Sequence, residues 1–143
     1  SSILLSLATG LLATNIVYVH SMVDTKIDTA CEKQTLATIL KTKQLQLIAL
    51  SVFTFVPYVI GFIVSPILGF LLLITLPIAI FLIQTMKNNL RYKLLFRFLP
   101  KKAWKHIIKT GNEVFYTRWL LARNFMTLFV GIICLYYLCE ALL

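Results

Sequence analysis

Long apolar runs divide the chain into four candidate membrane spans. Residues 1–23 contain no Asp, Glu, Lys or Arg, and neither does the run from Gln44 to Met86. The second run is much longer than the ~20 residues needed to cross the hydrocarbon, and Ser65-Pro66 interrupts it, so it predicts two helices joined by a tight turn. The pattern therefore predicts an all-α membrane protein with a single helical domain. Its four transmembrane helices are expected at about 2–22, 45–64, 67–86 and 121–142.

The composition agrees with a membrane protein, and the charges indicate its orientation. Hydrophobic residues make up 59% of the chain and charged residues 13%, about half the charged fraction of a soluble domain. All 14 Lys and Arg lie within 24–43 and 87–123, on one side of the predicted spans. We therefore expect loops 24–43 and 87–120 to face the cytoplasm, at the inner membrane if the protein is bacterial. The net charge of +9 is then a topology signal, and no nucleic-acid partner is expected.

The basic segment 87–120 has the pattern of a helix that lies along the membrane surface. In NNLRYKLLFRFLP, apolar residues recur at helical spacing between Lys and Arg, as far as Pro100. This pattern predicts an interfacial amphipathic helix that binds the headgroups of the lipid bilayer. A role in covering an active site is the alternative. Pro57 and Pro77 fall within spans and are expected to kink them.

Acidic residues are found where the first span ends. His20, Asp24 and Asp28 are spaced by four, so a helix that continued to Asp28 would place both carboxylates on one face. Two close carboxylates repel each other unless a cation lies beside them, and Mg²⁺ prefers carboxylate oxygens together with substrate phosphates. Lys33 follows as a positive charge for an anion. The alternative is that both are solvated loop charges, one of them capping the next helix.

The stretch GLLATNIVYVHSMVDTKIDTACEKQTLATIL resembles the second aspartate-rich motif of the UbiA superfamily of integral membrane prenyltransferases. The family pattern is approximately N-[DN]-x-x-D-x-x-x-D-x-x-x-G-K-x-T-L-A, and the matching positions are Asp24, Asp28, Lys33, Thr35, Leu36 and Ala37. The Lys-x-Thr-Leu register is most similar to the branch that prenylates 1,4-dihydroxy-2-naphthoate in menaquinone synthesis. His20 and Ser21 replace the Asn and the Asp or Asn of the pattern. Glu32 replaces its glycine, which argues against a tight turn there.

The resemblance implies a set of site residues with Mg²⁺ as the cofactor. These are Asp24 and Asp28 as metal ligands and catalytic residues, Lys33 and Thr35 for the diphosphate, and His20 and Ser21 as supports for the metal ligands.

The resemblance also implies that the sequence is the C-terminal part of a nine-helix bundle. The family carries its two acidic motifs in the cytoplasmic loops between helices 2 and 3 and between helices 6 and 7, so the four spans would be helices 6 to 9. The first motif, N-D-x-x-D-x-x-x-D, does not occur here, and the apolar run begins at once with Ser1. We therefore expect these residues to start inside a longer enzyme and to be inactive by themselves.

The expected function is Mg²⁺-dependent transfer of a polyprenyl group from polyprenyl diphosphate to an aromatic acceptor, with menaquinone-type quinone synthesis favoured. The alternative is a superfamily member with a different acceptor, which could be 4-hydroxybenzoate, haem, chlorophyllide or a glycerophospholipid. Tyr18 and Tyr58 are candidates for shielding a carbocation, although aromatic side chains in a span more often serve packing.

A non-enzymatic transporter or scaffold subunit is the alternative function. A transporter would be expected to carry ionisable groups near mid-membrane. The deep polar groups of these spans are hydroxyls such as Thr54 and Thr75 and the amide of Asn15, which are expected to bond between helices.

Overall fold

The computed structural model describes residues 2–88 and 113–142, and these residues are mostly helical with no strand among them. A 3₁₀ turn, Leu73–Thr75, separates two of the helices. The helices are α1 (Ser2–Ala30), α2 (Leu36–Ile39), α3 (Lys43–Val64), α4 (Pro66–Leu72), α5 (Leu76–Asn88) and α6 (Glu113–Leu142).

Four helical segments are long and apolar enough to cross a membrane, which confirms the predicted all-α membrane fold. They are Ser2–Ala30, Lys43–Val64, Pro66–Lys87 and Phe115–Leu142. The predicted interfacial helix lies almost wholly outside the described residues.

Two of the helices extend beyond the spans predicted from the absence of charge. α1 continues through the first part of the expected loop 24–43 and ends at Ala30, and α6 begins at Glu113 instead of residue 121. Loop 24–43 also contains the short helix α2. The difference has a simple reason, because only the part of a helix within the hydrocarbon must be free of charge, whereas its ends can continue into water.

Pro77 explains why the third span is divided into α4 and α5. Proline has no N–H, so the carbonyl of Leu73 cannot accept the usual bond from the residue four positions later. The N–H of Leu76 bonds to the Leu73 carbonyl instead, which tightens this turn to a 3₁₀ geometry. The predicted kink at Pro77 is therefore a short 3₁₀ turn, while Pro57 lies within the continuous helix α3.

Apolar side chains from all four spans meet in two clusters along the bundle. The first includes the fully buried Leu12, Leu72, Phe125 and Phe129 together with Tyr58, whose ring packs on both phenylalanines. The second cluster lies nearer the end of the bundle that contains the α1–α3 connection. It consists of Tyr18, Val19, Ala37, Leu50, Leu82, Met86, Leu121 and Ala122. Because lipid is as apolar as these side chains, close packing contributes much of the stability.

Hydrogen bonds between helices join polar side chains inside the bundle. The Asn15 amide Nδ2 donates to Thr54 Oγ1 at 2.7 Å and joins α1 to α3. The hydroxyls of Tyr58 and Thr75 lie 2.7 Å apart, and both residues are buried. This is the interhelical bonding expected for neutral polar groups in spans.

The two ends of the bundle differ in charge. At one end α3 and α4 are joined through Ser65 alone, and we call this the turn end. At the other end Lys43 Nζ donates to the Lys87 carbonyl at 2.9 Å and Arg118 Nη2 donates to the Thr85 carbonyl at 3.1 Å. We call this second end the basic end.

The α3–α4 hairpin depends on two glycines that allow close approach of its helices. A Cβ at Gly69 would overlap the ring of Phe62, and one at Gly61 would meet Leu72 Cδ1 at 2.5 Å. Since Phe62 also packs edge-on against Phe70, its ring has little room to move.

We predict that Gly69→Ala lowers the free energy of unfolding by about 1–3 kcal/mol, because overpacking forces the Phe62 ring away from its position. The measurement is SDS-induced unfolding in mixed micelles, followed by circular dichroism. Gly131→Ala is the matched control, since a Cβ there meets nothing within 4 Å. Equal stability of the two variants would contradict the close approach.

Candidate functional site

The end of α1 places the predicted acidic pair on one helix face. Because α1 continues to Ala30, Asp24 and Asp28 lie one turn apart and neighbour each other on its surface. The condition on which the pair depended, a helix that reaches Asp28, is therefore met. Helical periodicity puts this face roughly opposite to Leu12 and Val19, which pack in the bundle core.

Each carboxylate has a basic partner of its own. His20 Nδ1 lies 3.1 Å from Asp24 Oδ2, and Lys33 Nζ lies 3.5 Å from Asp28 Oδ1. Asp28 is the more buried of the two, with 10% of its side chain exposed against 30% for Asp24. The Lys33 ammonium offsets negative charge at the neighbouring carboxylates, and the His20 imidazole contacts that of Asp24.

A tight turn after α1 brings Lys33 back to Asp28. The N–H of Lys33 bonds to the Asp28 carbonyl at 2.8 Å, and the N–H of Glu32 bonds to the Thr29 carbonyl at 3.2 Å. Together these bonds form a Schellman motif, whose C′ residue adopts the left-handed conformation. Glu32 occupies that position with φ of 54°. The expectation that Glu32 argues against a tight turn is therefore wrong, because two backbone hydrogen bonds hold the turn without glycine.

Two of the predicted site hydroxyls make local hydrogen bonds. Thr35 is the N-cap of α2, and its Oγ1 accepts from the Thr38 N–H while Thr38 Oγ1 accepts from the Thr35 N–H. Ser21 Oγ donates to the Val17 carbonyl of its own helix at 3.2 Å. Thr35 caps α2 and Thr42 caps α3, so the alternative in which an aspartate caps the next helix is wrong.

His20 connects the acidic pair to the last helix. Its ring packs edge-on against Phe115 of α6, with ring centroids 4.8 Å apart and an interplanar angle of 90°. This contact limits the orientations of the imidazole that faces Asp24. His20 is thus held between α1 and α6 with its Nδ1 towards Asp24.

The described residues offer only part of a metal coordination sphere. Among residues 2–88 and 113–142, no group of three or more His, Cys, Asp or Glu side chains is arranged to hold an ion. Asp24 and Asp28 are oxygen donors of the kind that Mg²⁺ takes, and it commonly binds one or two carboxylates with substrate phosphates. The pair therefore fits Mg²⁺ only if further ligands come from substrate, water or other residues.

Tyr18 and Tyr58 pack in the bundle core. The Tyr18 hydroxyl donates to the Gln46 carbonyl at 3.1 Å, and the Tyr58 hydroxyl pairs with Thr75. Only 3% of Tyr18 and 5% of Tyr58 is exposed. These surroundings favour the packing interpretation over shielding of a carbocation.

Sequence reasoning missed a cavity of about 440 Å³ at the basic end. We call it the basic cavity. Its lining residues come from α1, the α1–α3 connection, α3, α5 and α6, and are Met22, Val23, Thr25, Lys26, Lys41, Lys43, Gln46, Met86 and Arg118. A signal was present in α1, because Met22 and Lys26 continue the helix face of Leu12 and Val19 beyond the apolar run. Which other cations face them depends on tertiary packing.

The chain matches no known protein family, no curated protein and no solved structure.

We predict that Glu32→Gly raises the free energy of unfolding by about 1 kcal/mol, because glycine adopts the left-handed conformation without the steric cost to an L side chain. SDS titration with circular dichroism measures the effect. Thr29→Gly, at a helical position whose carbonyl accepts from the Glu32 N–H, is the control and should destabilise the protein by about 0.3 kcal/mol. Destabilisation by Glu32→Gly would contradict the assigned turn.

Proposed function

We propose that the protein is a membrane prenyltransferase that transfers a polyprenyl group from polyprenyl diphosphate to an aromatic acceptor. The observation that carries the proposal is the geometry of residues 24–33. Two aspartates lie one turn apart, a left-handed turn follows at the glycine position of the UbiA-superfamily pattern, and the next residue, Lys33, returns to Asp28. The turn supports the resemblance because the left-handed conformation occurs at the position of the family's glycine, although Glu32 does not itself favour that conformation.

The residues present suit a diphosphate that binds together with Mg²⁺. Asp24 and Asp28 would hold the ion, and when bound it would neutralise charge that develops on the leaving diphosphate. Asp24 is the more accessible ligand, and His20 would keep its carboxylate in position. Lys33 is two-thirds exposed and has a flexible stem, so its ammonium can move from Asp28 to the substrate anion. Thr35 would contribute to the diphosphate site by capping the start of α2, because its hydroxyl is already hydrogen-bonded to Thr38.

In the proposed reaction the allylic C–O bond of the donor breaks, and its electron pair leaves with the diphosphate. The prenyl carbocation forms a C–C bond with the electron-rich ring of the acceptor, which then loses a proton. Lys33 would stabilise the departing oxygens by a charge-assisted hydrogen bond. The apolar outer surfaces of the spans offer a binding surface for the prenyl tail, for example at Ile3, Leu7 and Val17 of α1.

The position of the acidic pair supports a site completed from outside these residues. Asp24 and Asp28 lie on the side of α1 opposite Leu12 and Val19. Asp24 exposes 30% of its side chain and can be approached by further ligands, whereas Asp28 is buried and exposes only 10%. In the proposal, a first aspartate-rich motif in the longer enzyme supplies those ligands. The basic end would then face the cytoplasm, with a menaquinone-type acceptor favoured among the aromatic acceptors of the superfamily.

We predict that Asp24→Asn in the intact enzyme lowers Mg²⁺-dependent prenyl transfer by about 100-fold or more while membrane insertion is unchanged, because one anionic metal ligand is lost. Transfer of a radiolabelled prenyl group in native membranes measures the activity. Glu140→Gln removes a carboxylate at the turn end and should keep full activity. Unchanged turnover in Asp24→Asn would refute the metal assignment and would favour a transporter or scaffold.

The 143-residue chain by itself is expected to show no prenyl transfer, because in the described part of the chain only Asp24 and Asp28 are proposed as carboxylate ligands of the ion. The assay uses the purified chain in lipid nanodiscs with geranylgeranyl diphosphate, Mg²⁺ and 1,4-dihydroxy-2-naphthoate or 4-hydroxybenzoate. Product formed at a rate near that of the intact enzyme would contradict a site shared with further residues. Intact enzyme in the same nanodiscs is the control.

A further inference from the structure

The basic cavity gathers positive charge from four separate parts of the chain. Lys26 comes from α1, Lys41 from the α1–α3 connection, Lys43 from α3 and Arg118 from α6. Among the described residues that line it, none is Asp or Glu. Like charges around a space of about 440 Å³ repel one another, and an anion between them would relieve that repulsion.

Arg118 and the lysines occupy different depths of the cavity. Arg118 is 8% exposed and is anchored by its hydrogen bond to the Thr85 carbonyl, so it forms part of the inner wall. The three lysines are exposed and form the rim. Lys43 Nζ is oriented by the Lys87 carbonyl, and an ammonium group has two further protons to donate. The lysine donors thus lie at the rim, next to the wall that Arg118 helps to form.

The acidic residues of α1 do not neutralise this charge. Asp24 and Asp28 lie roughly half a turn around the helix from Met22 and Lys26, and they pair with His20 and Lys33. Within the described residues, the ion pairs of these aspartates do not involve any rim lysine. The two sides of α1 therefore carry opposite charge, and the cavity is separate from the proposed prenyltransferase site.

We propose that the basic cavity binds a phosphate group, with the headgroup of an anionic phospholipid as its source. Met22, Val23 and Met86 give the cavity apolar walls beside the cationic rim, which suits the glycerol and first acyl carbons next to a headgroup. Its volume is within the range of small-molecule sites. Basic pockets between membrane helices bind anionic headgroups in the same way, and the phosphate would bridge lysines contributed by α1, α3 and their connection. Such binding would link the end of α1 to α3.

The test compares the purified chain with variants of equal net charge. Lys26→Gln/Lys41→Gln removes two rim charges from the cavity. Lys87→Gln/Arg123→Gln is the control, since it removes two exposed charges that do not line the cavity. Lys26→Arg/Lys41→Arg changes the same two side chains but keeps their charge, so it separates loss of charge from a folding defect. Circular dichroism checks the folding of every variant. Native mass spectrometry counts phosphatidylglycerol bound from mixed micelles with phosphatidylcholine. A second arm titrates inorganic phosphate in phosphatidylcholine nanodiscs and follows thermal unfolding.

We expect the Lys26→Gln/Lys41→Gln variant to bind phosphatidylglycerol about tenfold more weakly or worse, because charge-assisted hydrogen bonds are lost. The control and the arginine variant should stay within about twofold of the wild type, and higher ionic strength should weaken wild-type binding. Stabilisation by inorganic phosphate with the same dependence on the variants, and no preference for phosphatidylglycerol, would support the phosphate site and overturn its lipid source. Equal lipid binding by all four proteins, without any effect of phosphate, would overturn the proposal.

Discussion

Hydrocarbon solvates neither a charge nor an unpaired peptide group, and this constraint organises the whole structure. As helices, the four apolar segments pair their own backbone N–H and C=O groups. The charged residues of these segments lie towards the ends of the bundle. Inside the bundle, neutral polar groups bond to one another, as Asn15 does to Thr54 and Tyr58 to Thr75. Arg118 is buried, and its guanidinium donates to the Thr85 carbonyl. The basic end is therefore where both proposed sites are found.

Helix α1 separates two surfaces of opposite charge. Its core face runs from Leu12 through Val19 to the basic cavity, whereas Asp24 and Asp28 lie on the other side. A helix with its side chains is about 10–12 Å wide, similar to the distance over which physiological salt screens exposed charges. In the two proposals these surfaces take different ligands, a divalent cation at the acidic pair and a phosphate in the basic cavity.

The turn at Glu32 shows how local geometry and chemistry depend on each other. A glutamate in the left-handed region costs about 1 kcal/mol or more relative to a favoured conformation, and the two Schellman hydrogen bonds offset that cost. The turn directs Lys33 towards Asp28 instead of into solvent. Without it, the lysine and the acidic pair would be neighbours in sequence but separate in space.

Sequence by itself determined the number of spans, the confinement of the lysines to two connections and the one-face placement of Asp24 and Asp28, because these follow from apolar run length, the cost of charge in hydrocarbon and helical periodicity. It did not determine where α1 and α6 end, since charged residues are compatible with helix outside the hydrocarbon. The Glu32 turn is local, but it takes a conformation that its own residue does not favour. The pairing of His20 with Phe115 and the convergence of Lys26, Lys41 and Arg118 were decided by tertiary structure. Each depends on contacts between segments far apart in the chain, and no local pattern specifies which faces of two helices will meet.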